Sequence, residues 1–186
     1  MRKLSEWVLH PPVDGPAATL LLRLMVGGVF FWEGLLKLVY RNQGVGRFTK
    51  LGFPLPALTA NFVAGLEIVG GLLLLMGLLT RLTAIPFLVE MVVAIFATKV
   101  SLFLGTSPLP LPPSPPQVGF WAVLHEIRSD WAQLLTAAFL LAAGPGRWSL
   151  DALLRRSPAL DQHRDAVEQS LKPELKQRLG VDRRVW

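Results

Sequence analysis

The chain is 186 residues long and 52% hydrophobic, with a net charge of +6 and no cysteine. Its mean hydropathy of +0.44 excludes an ordinary soluble domain and points to a small integral membrane protein. The positive excess fits cytoplasmic loops beside anionic lipid, so no nucleic-acid partner is implied, and the lack of cysteine excludes disulfides, thiolate metal sites and dithiol chemistry carried by this chain.

In chain order, residues 1–16, MRKLSEWVLHPPVDGP, read as an arm, with Trp7, Val8 and Leu9 in the membrane interface and Arg2 and Lys3 toward water. His10, ahead of Pro11 and Pro12, reads as a surface histidine. The first apolar run is too long for a signal-peptide core, so it is expected to stay in place as span one, 17–40. There Arg23, Gly27, Phe30, Gly34 and Lys37 fall on one helical face, and Glu33 lies one turn before Lys37, the favourable order for an ion pair. Arg23 and Lys37 sit near opposite ends and could snorkel; a carboxylate as short as Glu33 does so poorly. Residues 41–56 form a Gly- and Pro-punctuated loop whose Phe48, Leu51 and Phe53 could dip into the interface.

Span two, 57–80, is the most apolar, and Glu67 is its only charge before Arg81. A charge in such a segment faces protein or trapped water, and Ala60, Ala64, Gly70, Gly71 and Gly77 allow a neighbouring helix to come close. A tight turn leads into span three, 82–104, so spans two and three are expected to pair as an antiparallel hairpin. Glu90, Ala94, Ala97 and Ser101 share a face of span three; Lys99 is out of phase with Glu90 and either snorkels or pairs inside the bundle. The proline-dense stretch 105–118 is a stiff connector.

Span four is placed at 119–143. Its apolar part, 131–143, is too short to cross a bilayer. Either the upstream His125, Glu126, Arg128 and Asp130 are drawn into a polar cavity, or this is a half-span that begins at the interface. After Gly144-Pro145-Gly146, Ser149 can cap a short interfacial helix with Asp151 in its first turn. A charged tail follows over 157–186, with a stripe of Leu160, Val167, Leu171, Leu175 and Leu179 and a kink at Pro173, suited to a membrane surface or a protein partner. The expected organisation is thus an arm 1–16, a four-span membrane domain 17–143, and an interfacial helix with a tail over 144–186.

Four spans put both termini on one side, shared by Arg2, Lys3, Arg81, Arg147, Arg155 and Arg156; the positive-inside rule makes that side the cytoplasm, at the inner (plasma) membrane. Within the spans, Arg23, Lys37, Lys99 and Arg128 nearly balance Glu33, Glu67, Glu90, Glu126 and Asp130, as a mutually paired interior requires. Two readings stay open. The network fixes helix register only, or it lines a hydrated pocket that binds a small polar molecule or quinone head group, or moves protons.

The series Arg23…Gly27…Phe31…Gly34…Lys37, a Gly-Phe-Pro loop, Glu67…Gly70-Gly71…Gly77…Thr80-Arg81, Glu90, His125-Glu126 and Trp148-Ser149-Leu150-Asp151 resembles the DoxX family of small membrane proteins over residues 17–155. The resemblance implies an all-α, integral membrane four-helix bundle. It also implies polar family positions at Arg23, Lys37, Glu67, Arg81 and Glu90, and at His125 and Glu126. Some members are membrane subunits of thiosulfate:quinone oxidoreductase or associate with sulfur or oxidative-stress redox partners; many have no known activity. The proline-rich loop and the long tail depart from the family pattern.

The leading expectation is a membrane subunit of a redox complex, with partners supplying the electron carriers and no cofactor held by this chain beyond a quinone. The expected acid–base residues are Glu67, Glu90, His125, Glu126 and Asp130, and the expected substrate-binding residues are Arg23, Glu33, Lys37, Arg81, Lys99 and Arg128. His125 with Glu126 or Asp130 would protonate a quinone oxygen, and Glu67 and Glu90 would relay or neutralise charge. A bis-histidine haem is excluded because His125 is the only histidine in a span, and no metal site is expected. The alternatives are a non-catalytic scaffold whose tail docks a partner, and a solute or proton transporter, which would need an oligomer.

Overall fold

A computed structural model describes residues 2–9 and 11–155, the first four as backbone only. His10 and the tail stripe of Leu160 to Leu179 lie outside the described residues. The chain divides into two units, Met1–Ala152 and Leu153–Trp186; the second is described only in the last residues of α8.

The described residues form helices without strands: α1 (Arg2–Leu9), α2 (Thr19–Val39), α3 (Val45–Lys50), α4 (Pro56–Met76), α5 (Thr80–Leu104), α6 (Gly119–Glu126), α7 (Arg128–Ala143) and α8 (Leu150–Arg155). Three of them, α2, α4 and α5, are long and apolar enough to cross a membrane. The expected fourth span is not one helix. It divides at Ile127 into α6 and α7, although Ile127 keeps helical dihedrals of φ −82° and ψ −13°. The polar run His125–Asp130 sits at that break, where a water-preferring sequence gives way to the apolar run.

The main pairings differ from the expected hairpin of spans two and three. The helix that packs most closely on α4 is α2, and the one that packs most closely on α5 is α7; α4 and α5 touch less extensively despite their short connection. Glycine decides the first pairing. A Cβ at Gly71 would come within 2.7 Å of the Phe31 backbone N, and one at Gly34 within 2.8 Å of the Ala64 carbonyl oxygen, so the two backbones meet directly. Between α4 and α5, Gly70 instead cradles a ring: its Cβ would lie 2.6 Å from Phe87 Cζ. Phe87 stacks on Phe30 of α2, with ring centroids 3.8 Å apart and planes 3° from parallel.

A buried apolar layer of Val26, Phe30, Leu74, Phe87, Met91, Ala137 and Leu140 joins all four long elements. On one side of it, toward the α4–α5 turn, the ends of the helices are locked together by polar contacts. Arg23, 1% exposed, donates to the Pro145 carbonyl at 3.2 Å and the Trp148 carbonyl at 2.7 Å. Arg81 donates to the carbonyls of Trp7 at 2.9 Å and Ala142 at 2.7 Å and stacks over the Trp7 ring. Asp151 accepts from the backbone N–H groups of Leu79 and Thr80 at 3.0 and 3.2 Å, capping α5 rather than only favouring its own helix. The expected cap of α8 is also present: the Ala152 N–H donates to Ser149 Oγ at 3.1 Å. On the other side of the apolar layer, α4 and α5 part and a cavity opens.

An intramembrane cavity as the candidate functional site

The cavity has a volume of about 760 Å³ and is lined by α2, α3, α4, α5 and the α6–α7 junction. Most of its wall is apolar, from Phe30, Phe48, Phe53, Phe62, Leu66, Val89, Val93 and Ala94 among others. Into that wall α2 and α4 bring a close, buried ion pair. Lys37 Nζ donates to Glu67 Oε1 at 2.7 Å, with the two side chains 13% and 2% exposed. The Gly34 notch, one turn from Lys37, makes this reach possible by bringing α2 against α4. Glu33 stands 3.7 Å from the same ammonium, in the i,i+4 arrangement expected from sequence, with half of its side chain exposed. Glu90 of α5 faces Glu67 closely enough for their carboxyls to interact. Among the described residues, no ammonium, amide or alcohol reaches Glu67 Oε2, Glu90 Oε2 or Gln133 Oε1, and all three atoms are buried.

The opposite wall holds a second pair. Lys99 Nζ lies 3.1 Å from Asp130 Oδ2, joining α5 to α7, so Lys99 pairs inside the bundle rather than snorkelling. Glu126, Ser129 and Gln133 line the same wall. Gln133 donates from Nε2 to the Met25 sulfur at 3.6 Å, which leaves its carbonyl oxygen toward the cavity group.

Of the residues expected at a site, Glu33, Lys37, Glu67, Glu90, Lys99, Glu126 and Asp130 therefore line one cavity. Four do not. Arg23 and Arg81 lie beyond the apolar layer, where their guanidiniums hold backbone carbonyls. The sequence makes both candidate substrate-binding cations and leaves snorkelling open for Arg23, but a planar guanidinium with five donors also suits carbonyls left over at helix ends. His125 and Arg128 are exposed and outside the lining; the His125 ring contacts its neighbour Glu126, Nδ1 to Oε1 at 3.1 Å. One helical step separates Glu126, on the cavity side, from His125.

Sequence reasoning missed Gln43 and Arg47 as lining residues. They belong to α3 and its approach, a segment read as an interfacial loop. The available signal is Gly44: a side chain there would collide with the Lys37 carbonyl, so the chain must fold back on the end of α2 and carry α3 over the cavity. Phe48 and Phe53, whose rings pack 5.2 Å apart, then become its cover.

The DoxX family model matches residues 18–100, which hold α2 to most of α5 and the Lys37, Glu67, Glu90 and Lys99 positions. The chain is 42% identical over 155 residues to the uncharacterized membrane protein Rv3486 of Mycobacterium tuberculosis, covering 80% of this chain and 87% of that one. It is 34% identical over 90 residues to CatD of Bacillus subtilis, whose name provisionally calls it an oxidoreductase, covering 48% of this chain and 66% of that one. No solved structure matches the chain.

Proposed function

The chain belongs to the DoxX family of membrane proteins, and from that premise we propose that it is the membrane subunit of a quinone-linked redox system whose cavity binds the quinone head group. The observation that carries this reading is the Lys37–Glu67–Glu90 group set in an otherwise apolar cavity. Small-molecule sites have this composition: a few converging polar groups in an apolar enclosure of roughly 300–1,000 Å³. The name of CatD points the same way for that protein.

The residues present fit a quinone head. Lys37 has three N–H donors, and Glu67 and Glu33 do not use them all. The orphaned oxygens of Glu67, Glu90 and Gln133 provide acceptors for a hydroxyl. When bound, a quinone supplies a two-electron, two-proton couple; the electrons reach it from a flavin or iron–sulfur carrier on a partner protein. The chain's own part is to orient and to handle protons. Lys37 donates a hydrogen bond to the head-group oxygen, Glu67 and Glu90 hold and pass a proton beside it, and half-exposed Glu33 links them to water. Asp130 with Lys99 and Glu126 forms a second proton-bearing wall.

In this reading α6 and α7 together complete a fourth crossing, which puts both termini on the cytoplasmic side of the plasma (inner) membrane by the charge asymmetry of the loops. The cavity then lies in the outer half of the bilayer. The apolar layer from Val26 to Leu140 closes it toward the cytoplasm, which speaks against a pore.

The test is quinone content after purification in mild detergent, by extraction and chromatography, for the wild type and for Lys37→Met and Glu90→Gln. Bound quinone in the wild type and its loss from both variants, counted per mole of folded protein so that the lower stability of Lys37→Met does not enter, is the expected result. A wild type that neither retains quinone nor takes it up from quinone-loaded vesicles removes the reading. A scaffold role is favoured by a different observation, that Lys37–Glu67 and Lys99–Asp130 each tie two helices together. It predicts that the variants lose partner association and folding in parallel, with no quinone in any sample.

A further inference from the structure

The walls of the cavity are unequal. Toward the α4–α5 turn it is closed by the apolar layer and, behind that, by the Arg23, Arg81 and Asp151 contacts. Over its other end lies α3 with Phe48, which is 9% exposed. Sideways the case is different. Its lining includes Phe62 on α4 and Val89 and Val93 on α5, whose exposures are 68%, 59% and 44%. Large side chains that line a cavity and are also open on the outside mark its mouth. These three sit in the middle stretches of helices long and apolar enough to span the membrane, so what lies outside them is hydrocarbon. The mouth falls where α4 and α5 part beyond the Gly70–Phe87 contact.

The charge inside is also informative. Glu33, Glu67, Glu90, Glu126 and Asp130 outnumber Lys37, Arg47 and Lys99 in the lining. The lining cations of the spans, Lys37 and Lys99, are already paired with Glu67 and Asp130, so an anionic ligand would be buried among carboxyls without either as its counter-charge. This disfavours a sulfur oxyanion or a phospholipid phosphate as occupant.

We infer that the cavity is loaded from within the bilayer through a lateral opening between α4 and α5, and that its ligand is an uncharged amphiphile. The ligand's polar head reaches Lys37 and Glu67 while its apolar tail stays between Phe62 and Val93 in lipid. The inference rests on reading the cavity as a ligand site, and it specifies the route and the charge of the ligand. The polar rim at Glu33 and Glu126 is left as the path for protons and water. Separate routes for a lipid-borne ligand and for protons are what a site poised between two solvents requires.

The absence of native cysteine makes the route directly measurable. Phe62→Cys and Val93→Cys are each labelled with bimane, reconstituted in nanodiscs, and exposed either to phospholipids with brominated acyl chains or to aqueous iodide. Quenching by bromine and not by iodide at both positions is expected; quenching by iodide without bromine overturns the lateral opening whatever the ligand is. A second arm measures equilibrium binding of decyl-ubiquinone, of the same head group without a tail, and of decyl phosphate. In the wild type decyl-ubiquinone binds and decyl phosphate does not compete. The Val89→Trp/Val93→Trp double variant, which fills the mouth from the lipid side, weakens the tailed probe by about tenfold and spares the tail-less one. If both quinone probes bind and the double variant changes neither, the route is wrong and the quinone reading stands. If neither binds the wild type, the quinone reading falls, and the quenching alone decides the route. Competition by decyl phosphate as strong as by decyl-ubiquinone overturns the uncharged ligand.

Discussion

Replacing Lys37 with methionine keeps the length and apolar volume of the side chain and removes only its ammonium. Glu67, 2% exposed, then keeps a buried carboxyl that has lost its ammonium partner, with Glu90 facing it and Glu33 nearby. Breaking one half of a buried ion pair costs about 3–5 kcal/mol, whereas replacing both halves by well-packed uncharged groups is close to neutral. The cycle Lys37→Met, Glu67→Gln and the double variant should therefore be strongly non-additive. Lys37→Met alone should lower the melting temperature in nanodiscs by about 6–20 °C, if each kcal/mol is worth roughly 2–4 °C for a chain of this size. The double variant should recover more than half of that loss. Tryptophan fluorescence or differential scanning calorimetry reads the melting, and quinone content is measured on the same samples. A recovered melting temperature with no recovered quinone would separate the binding role of the ammonium from its structural one. Equal loss of stability in Lys37→Met and the double variant would refute the claim that the pair is buried and mutually compensating.

Other sites give independent tests. Gly71→Ala puts a methyl 2.7 Å from the Phe31 backbone N, where no side chain can yield, so α2 and α4 must separate at a cost of about 1–3 kcal/mol; Gly65→Ala, with nothing within 4 Å, should be nearly silent in the same melting assay. Asp151→Ala removes the acceptor of the Leu79 and Thr80 N–H groups and should destabilise by about 0.5–2 kcal/mol, with proteolysis appearing first at the 77–80 turn. Arg23→Lys keeps the charge but gives up the fork that reaches both Pro145 and Trp148, so hydrogen exchange in the 144–149 segment should rise although the charge is conserved.

The cavity was partly legible in the sequence, and the reasons differ by residue. Glu67 could be found because one acid in a long apolar run must be met by a partner. Lys37 and Glu33 could be found because an i,i+4 pair is a local fact. Lys99 could not be assigned, since its partner Asp130 comes from α7 and depends on how α5 and α7 turn toward each other. His125 and Glu126 were indistinguishable by composition, and one step around α6 puts Glu126 in the lining and His125 outside it. The two buried arginines carried a charge signal and a helix-end position, but not their acceptors, which are backbone carbonyls invisible to residue-type reasoning.

What the amino-acid order determined by itself was local or solvent-driven: helices of membrane-crossing length, the notches of small residues, a tight turn between spans two and three (expected at Thr80-Arg81, found just before it at Gly77 to Leu79), the cap at Ser149, and the need for buried acids to be compensated. These follow from the chain's own geometry and from the cost of leaving polar groups in hydrocarbon. Which helices pair was a tertiary decision. The closest approach of α2 to α4, made possible where Gly27, Gly34 and Gly71 let backbone meet backbone, prevailed over the short α4–α5 connection. Because α4 and α5 then part beyond the Phe30–Phe87 stack, space is left between them, and the acids gather around it.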